Sequence, residues 1–208
     1  MWPTAALVGL LVAGAAASPA GIASKDHTGR VVRKRTTETV QLYAYGTNIS
    51  GLPIYAGSDN LAYLATRDAA TNLTAITWTI DTTGVDAWTV TANSTSTSTN
   101  ATSSLTSGSS FYIINSSDSS DSFVQAGFVS DASSAPTGAT TTGFVTYGSY
   151  VMVVNETTAD QQTYVSEFWA TASGTDGLWT LMWNKAGTVQ DNSVPVTLKT
   201  TAPVALTS

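Results

Sequence analysis

Runs of four to eight residues rich in Val, Ile, Thr, Tyr, Phe and Trp recur along most of this chain, and clusters of Gly, Asn, Asp and Ser interrupt them. Such side chains suit a pleated, half-buried surface, and the interrupting residues supply turn geometry. Strands are expected from Val40 to Tyr45, Ile76 to Ile80, Trp88 to Ala92, Phe111 to Ile114, Phe123 to Val129, Tyr150 to Val154, Tyr164 to Ala170 and Leu178 to Trp183. None of these runs has the 3.6-residue period of an amphipathic helix. Residues 61 to 70 read either as one short helix or as another strand. The expected fold is all-β: a two-sheet β-sandwich or jelly-roll-like body, with a β-trefoil as the alternative.

An internal echo sharpens this expectation. Trp78 and Trp88 are ten residues apart, as are Trp169 and Trp179, and turn residues fill both intervals. Each pair reads as a hairpin with facing tryptophans, and the ninety-one-residue offset suggests pseudo-repeated halves. Alternation gives Trp78 the company of Ile76 and Ile80, and groups Trp179 with Leu181 and Trp183. A ring with aliphatic neighbours at i±2 belongs to an apolar face, so core packing is its first reading. The second is a platform on which sugar rings stack, with Trp169, Trp179 and Trp183 as its candidates.

The N-terminus sets the expected compartment. Residues 5–13 form an apolar run too short to span a bilayer, and Ala15-x-Ala17 has the small-x-small pattern of a signal-peptidase site. Five of the eight cations then precede Thr36, and Lys34-Arg35 forms a dibasic site suited to a kexin-type protease. Residues 1–17 are read as a signal peptide, 18–35 as a propeptide and 36–208 as one all-β domain. Within that domain 93–110, almost wholly Ser, Thr, Asn and Gly, reads as an exposed loop. Six Asn-x-Ser/Thr acceptors, at Asn48, Asn72, Asn93, Asn100, Asn115 and Asn155, mark a glycoprotein.

Composition removes several chemistries. The chain has no cysteine, and its one histidine, His27, lies in the segment expected to be cleaved. A body of 36–208 therefore lacks the residues for a Ser-His-Asp triad, a Cys-His pair or a histidine-based metal site. Three cations (Arg67, Lys185 and Lys199) remain there against thirteen acids, leaving −10. Nucleic acid and anionic membranes are poor partners for such a body. Asp118 and Asp121 read as turn residues rather than calcium ligands, so no metal or cofactor is expected. Glu167, between Val165 and Trp169, is the one carboxylate set among apolar neighbours, where a raised pKa would suit a general acid. Glycoside hydrolysis needs a second carboxylate about 5–10 Å away, for which Asp86, Asp176 and Glu156 are the candidates.

The run Leu42-Tyr-Ala-Tyr-Gly-Thr-Asn-Ile-Ser-Gly-Leu-Pro-Ile54 resembles the opening of small secreted proteins of filamentous ascomycete fungi. Glu167-Phe-Trp169 and Gly177-Leu-Trp-Thr-Leu-Met-Trp-Asn184 are similar to their closing strands. The resemblance implies an extracellular or cell-wall protein and carries no activity with it. The leading expectation is a secreted, non-catalytic glycoprotein of the fungal wall or matrix that binds cell-wall polysaccharide through aromatic side chains. Two alternatives stand beside it: a glycan-active hydrolase or lyase using Glu167 with an Asp partner, and an effector or antigen acting through protein contacts.

Overall fold

A computed structural model describes residues 24–25, 31–32, 36–93, 105–115, 123–158 and 161–204. The expected processing points (Ala17, Lys34 and Arg35), the acceptor Asn100, most of the Ser/Thr-rich loop, His27, Asp118 and Asp121 lie outside the described residues, as does the side chain of Glu156. The chain divides into two compact units, Met1–Lys34 and Arg35–Ser208. In the first, β1 (Ser24–Lys25) pairs antiparallel with β2 (Val31–Val32).

The second unit is all-β. Its strands are β3 (Thr37–Val40), β4 (Tyr43–Gly46), β5 (Ile49–Ala56), β6 (Ala62–Ala65), β7 (Thr74–Asp81), β8 (Thr89–Ala92), β9 (Ser109–Ile114), β10 (Phe123–Gln125), β11 (Gly127–Val129), β12 (Ala139–Thr140), β13 (Phe144–Tyr147), β14 (Tyr150–Thr158), β15 (Gln161–Val165), β16 (Phe168–Ala172), β17 (Leu178–Asn184) and β18 (Ser193–Lys199). Residues 61 to 70 resolve into β6 and the start of a 3-10 turn, Ala69–Asn72.

The antiparallel pairings close on themselves. β4 pairs β5, β5 pairs β6, β6 pairs β17, β17 pairs β16, β16 pairs β18, and β18 returns to β4. This six-membered ring is a closed barrel, which the expectation of two open sheets did not contain. Closure leaves no unpaired edge within the ring. From β5 the sheet continues outward through β7, β8 and β9 to β11, while β13 and β15 flank β14 beyond β18.

Two prolines mark the seams of the ring. β5 pairs with β4 up to Pro53 and with β6 from Ile54. β18 pairs with β16 up to Pro195 and with β4 from Val196. Proline has no N–H to give a ladder, so a strand accommodates it best where its partner changes. A bulge at Gly51, whose φ is +71°, bends β5 just before its seam.

A narrow barrel must be filled from within. Ala44, Ala56, Ala62 and Ala170 are fully buried there, and their small size leaves room for Trp183, Phe168, Leu64 and Leu181. A second group of rings fills the rest of the core. Trp78 meets Phe111 edge-to-face at 5.0 Å, and Trp88 and Phe111 both reach Phe144 of β13, at 5.7 and 5.1 Å. Asp81 ties down the β7–β8 connection. Its buried carboxylate accepts from the amides of Thr83, Val85 and Asp86 and from the Thr83 hydroxyl.

The expected pairing of tryptophans is corrected by register. Trp78 stands opposite Val90, not Trp88, and Trp169 stands opposite Met182, not Trp179. The first slip is two residues, so Trp78 and Trp88 both still point into the core, with 0% exposure. The second slip is three residues. An odd slip exchanges the faces of a strand, so Trp169 lies outside while Trp183 lies inside. The ninety-one-residue echo therefore joins a core tryptophan, Trp78, to a surface one, Trp169, and does not extend to equivalent places in the fold.

Candidate functional site

The outer wall of the barrel is where chemistry is on display. Because the interior-facing positions are taken by Ala44, Ile54, Ala56, Ala62 and Leu64, the alternating residues Tyr43, Tyr45, Tyr55 and Tyr63 face outward and are half-buried. Register lines up one row across five strands: Tyr55, Tyr63, Thr180, Thr171 and Ser193. Beside it runs a second row, Gln125, Met182, Trp169 and Pro195. Phe123 meets Trp169 edge-to-face at 6.2 Å. The wall is thus a sheet of partly open rings interleaved with hydroxyls and an amide.

Its polar groups are held in place. The Tyr63 hydroxyl donates to Asp59 Oδ2 at 2.7 Å, and Asp59 Oδ1 accepts from the Leu61 amide at 3.1 Å. A Cβ at Gly57 would collide with both Asp59 and the Tyr63 ring, so glycine there makes room for the pair. Burial pushes the Tyr55 and Tyr63 phenols up from their usual range, and the Asp59 carboxylate raises Tyr63 further. Both remain protonated donors near neutral pH. The Thr171 and Ser193 hydroxyls bond to each other at 2.7 Å. At the far side of the wall Lys199 Nζ lies 5.0 Å from the Tyr45 ring and 4.6 Å from the Tyr150 ring, a cation–π arrangement. Tyr150 pairs with Tyr147, which is 78% exposed.

The three tryptophans expected to form a sugar platform are separated. Trp169 is on the outer wall. Trp179, opposite Leu64 and Ala172, packs against the core from the interior face. Trp183 has no exposed surface, so it cannot stack on a ligand. Phe123 and four tyrosines take their place; Tyr43, Tyr45, Tyr55 and Tyr63 were legible as tyrosines beside alanine, as in Tyr43-Ala44-Tyr45. In a narrow barrel the alanines are the inward set.

Glu167 sits in the corner between β15 and β16, not within a continuous strand. Burial raises its carboxyl above the usual range, and the Lys185 ammonium opposes that shift. Lys185 itself donates to the Asn115 carbonyl at 2.8 Å. Asp176 lies in the β16–β17 turn, beyond Ala172, the residue paired with Trp179. Five strand residues at about 3.3 Å each put that turn roughly 17 Å from Glu167, too far for a glycosidase pair. The Asp86 amide is bound to Asp81 in the β7–β8 connection. Among the described residues no group of three His, Cys, Asp or Glu side chains could hold a metal.

The acceptor asparagines are spread over the surface. Asn48, in the β4–β5 turn, Asn72 and Asn155 are exposed, and Asn93 and Asn115 are half-buried at the ends of β8 and β9. Compared with known proteins, the chain matches no family model, no curated relative and no solved structure.

Proposed function

We propose that the mature chain is a secreted, non-catalytic glycoprotein of the fungal cell wall or extracellular matrix that binds neutral polysaccharide on the outer wall of its barrel. One observation carries the reading: Tyr55, Tyr63 and Trp169 lie half-open on a continuous strand surface, among Thr180, Thr171, Ser193 and Gln125. A sugar ring offers an apolar C–H face to an aromatic ring and hydroxyls to its polar neighbours, which this wall matches. Secretion rests on the leader ending at Ala17 and the Lys34-Arg35 site, and a fungal source on the resemblance in residues 42–54 and 167–184.

In finer architecture the reading keeps a two-layered, sandwich-like half. The contacts of Trp88 and Phe111 with Phe144 bridge the β7–β8–β9 sheet and β13, as facing sheets require. The hydrolase or lyase alternative has only Glu167 to support it, since Asp176 stands too far along the β16–β17 hairpin to be its partner. The effector alternative predicts protein capture in place of polymer retention.

Retention of the secreted protein on insoluble chitin, β-glucan and xylan tests the proposal. Truncating a central ring of a binding surface costs more than ~1.4 kcal/mol, or about tenfold in affinity. Tyr63→Ala and Trp169→Ala should each weaken retention by that factor, with Tyr164→Ala as the control. Failure of the wild type to bind any of the three polymers would refute polysaccharide binding, and sugar release lost in Glu167→Gln would establish the enzyme instead. Mass spectrometry of the secreted form should find Thr36 at its N-terminus; Ser18 there would disprove the dibasic cut.

A further inference from the structure

A second feature lies away from the aromatic wall. A groove of about 400 Å³ runs between the β7–β8 connection, β12 and the β14–β15 hairpin. That volume is within the range of small-ligand sites. Its polar lining comes from Thr83, Asn115, Thr140, Thr142, Asn155 and Gln162, and none of the described residues that line it is charged. A lining made of hydroxyls and amides at these positions favours a ligand rich in hydroxyl and amide groups.

The floor is backbone. Gly84 and Gly143 adopt φ of +78° and +82°, and the Gly143 amide donates to the Gly84 carbonyl at 2.9 Å. A Cβ at Gly84 would come within 2.7 Å of Val145 Cγ1. At the rim Val85 is 68% exposed, an apolar surface beside the hydroxyls.

Two of the six acceptor asparagines line this one groove. Asn115 is anchored through its main chain: its amide donates to Gly138 and its carbonyl accepts from Lys185. Asn155 stands on β14, where the Thr163 hydroxyl bonds its carbonyl at 3.0 Å. Both main chains are held, and both residues line the groove.

We propose that the groove is the seat of the chain's own N-linked glycan, carried by Asn115 or Asn155. The inference rests on the reading of the chain as a secreted glycoprotein. A glycan attached at either position starts at the groove, so its effective concentration there exceeds that of any free sugar. The amides, hydroxyls and glycine floor then receive its first sugars, with Val85 against an apolar sugar face.

The test is site-resolved endoglycosidase release from the secreted protein, native and denatured, with Asn48 and Asn72 as internal references. A seat worth about 1.4 kcal/mol slows native release about tenfold. The expected result is such protection at Asn115 or Asn155, none at Asn48 and Asn72, and its disappearance on denaturation. Gln162→Trp, which fills the groove from an exposed position, should abolish the protection without lowering the melting temperature. Equal native release at all sites, protection unchanged in Gln162→Trp, or glycans elsewhere but at neither groove asparagine would overturn the proposal. A secreted protein with no glycan at any acceptor would remove the glycoprotein reading itself, and the seat with it.

Discussion

Trp78 and Trp88 are both fully buried, but the Trp88 indole N–H donates to the Asp81 carbonyl at 2.9 Å, whereas the Trp78 N–H has no partner. The same substitution should therefore cost different amounts at the two sites. Trp→Phe removes roughly 40 Å² of buried surface, about 1 kcal/mol at 25 cal/mol per Å². The remaining void of roughly 40 Å³ adds about 1 kcal/mol. At Trp88 the lost hydrogen bond adds about 1 kcal/mol more, giving about 3. At Trp78 the substitution deletes a buried unpaired donor, returning about 1 kcal/mol and leaving a cost of about 1. A phenylalanine at 78 also keeps an aromatic partner in Phe111. Equilibrium urea unfolding, followed by far-UV circular dichroism, reads the difference. With a slope near 2 kcal/mol per M, the Trp88→Phe midpoint should lie about 1 M below that of Trp78→Phe. Coincident midpoints, or a larger loss for Trp78→Phe, would refute the argument that donor pairing separates the sites.

Two further perturbations test the local electrostatics. Glu167 has a raised carboxyl pKa in the folded chain, so folding favours its protonated form. Its contribution is complete below the unfolded pKa, about 4.3, and is lost as pH rises through the higher folded value. Glu167→Gln should accordingly flatten the decline in melting temperature above pH 4.3, and an unchanged pH profile would count against burial as the cause. Asp81→Ala should cost about 2–4 kcal/mol by leaving the amides of Thr83, Val85 and Asp86 without their acceptor, discounted because Val85 and Asp86 reach water. Amide exchange should accelerate at those three residues and stay unchanged in β16 and β17; uniform acceleration would show that Asp81 supports the whole fold.

Much of the strand content was open to local reading, because alternation is a property of neighbours. The runs at 76–80, 88–92, 111–114 and 178–183 each coincide with an observed strand, allowing one or two residues at the ends. β5 and β18 were not read as strands, since Pro53 and Pro195 interrupt their alternation where the barrel needs a change of partner. The run from 164 to 170 broke at Ser166 and Glu167 because a corner there turns the chain from β15 into β16.

What the amino-acid order determined alone is the all-β character and the lack of histidine and cysteine in 36–208. Only the tertiary structure decided that the sheet closes, that Trp169 faces outward, and that Asp176 stands far from Glu167. The reason is that register belongs to a pair of strands: the connection between them sets it, and a slip of one residue in parity moves every side chain to the opposite face.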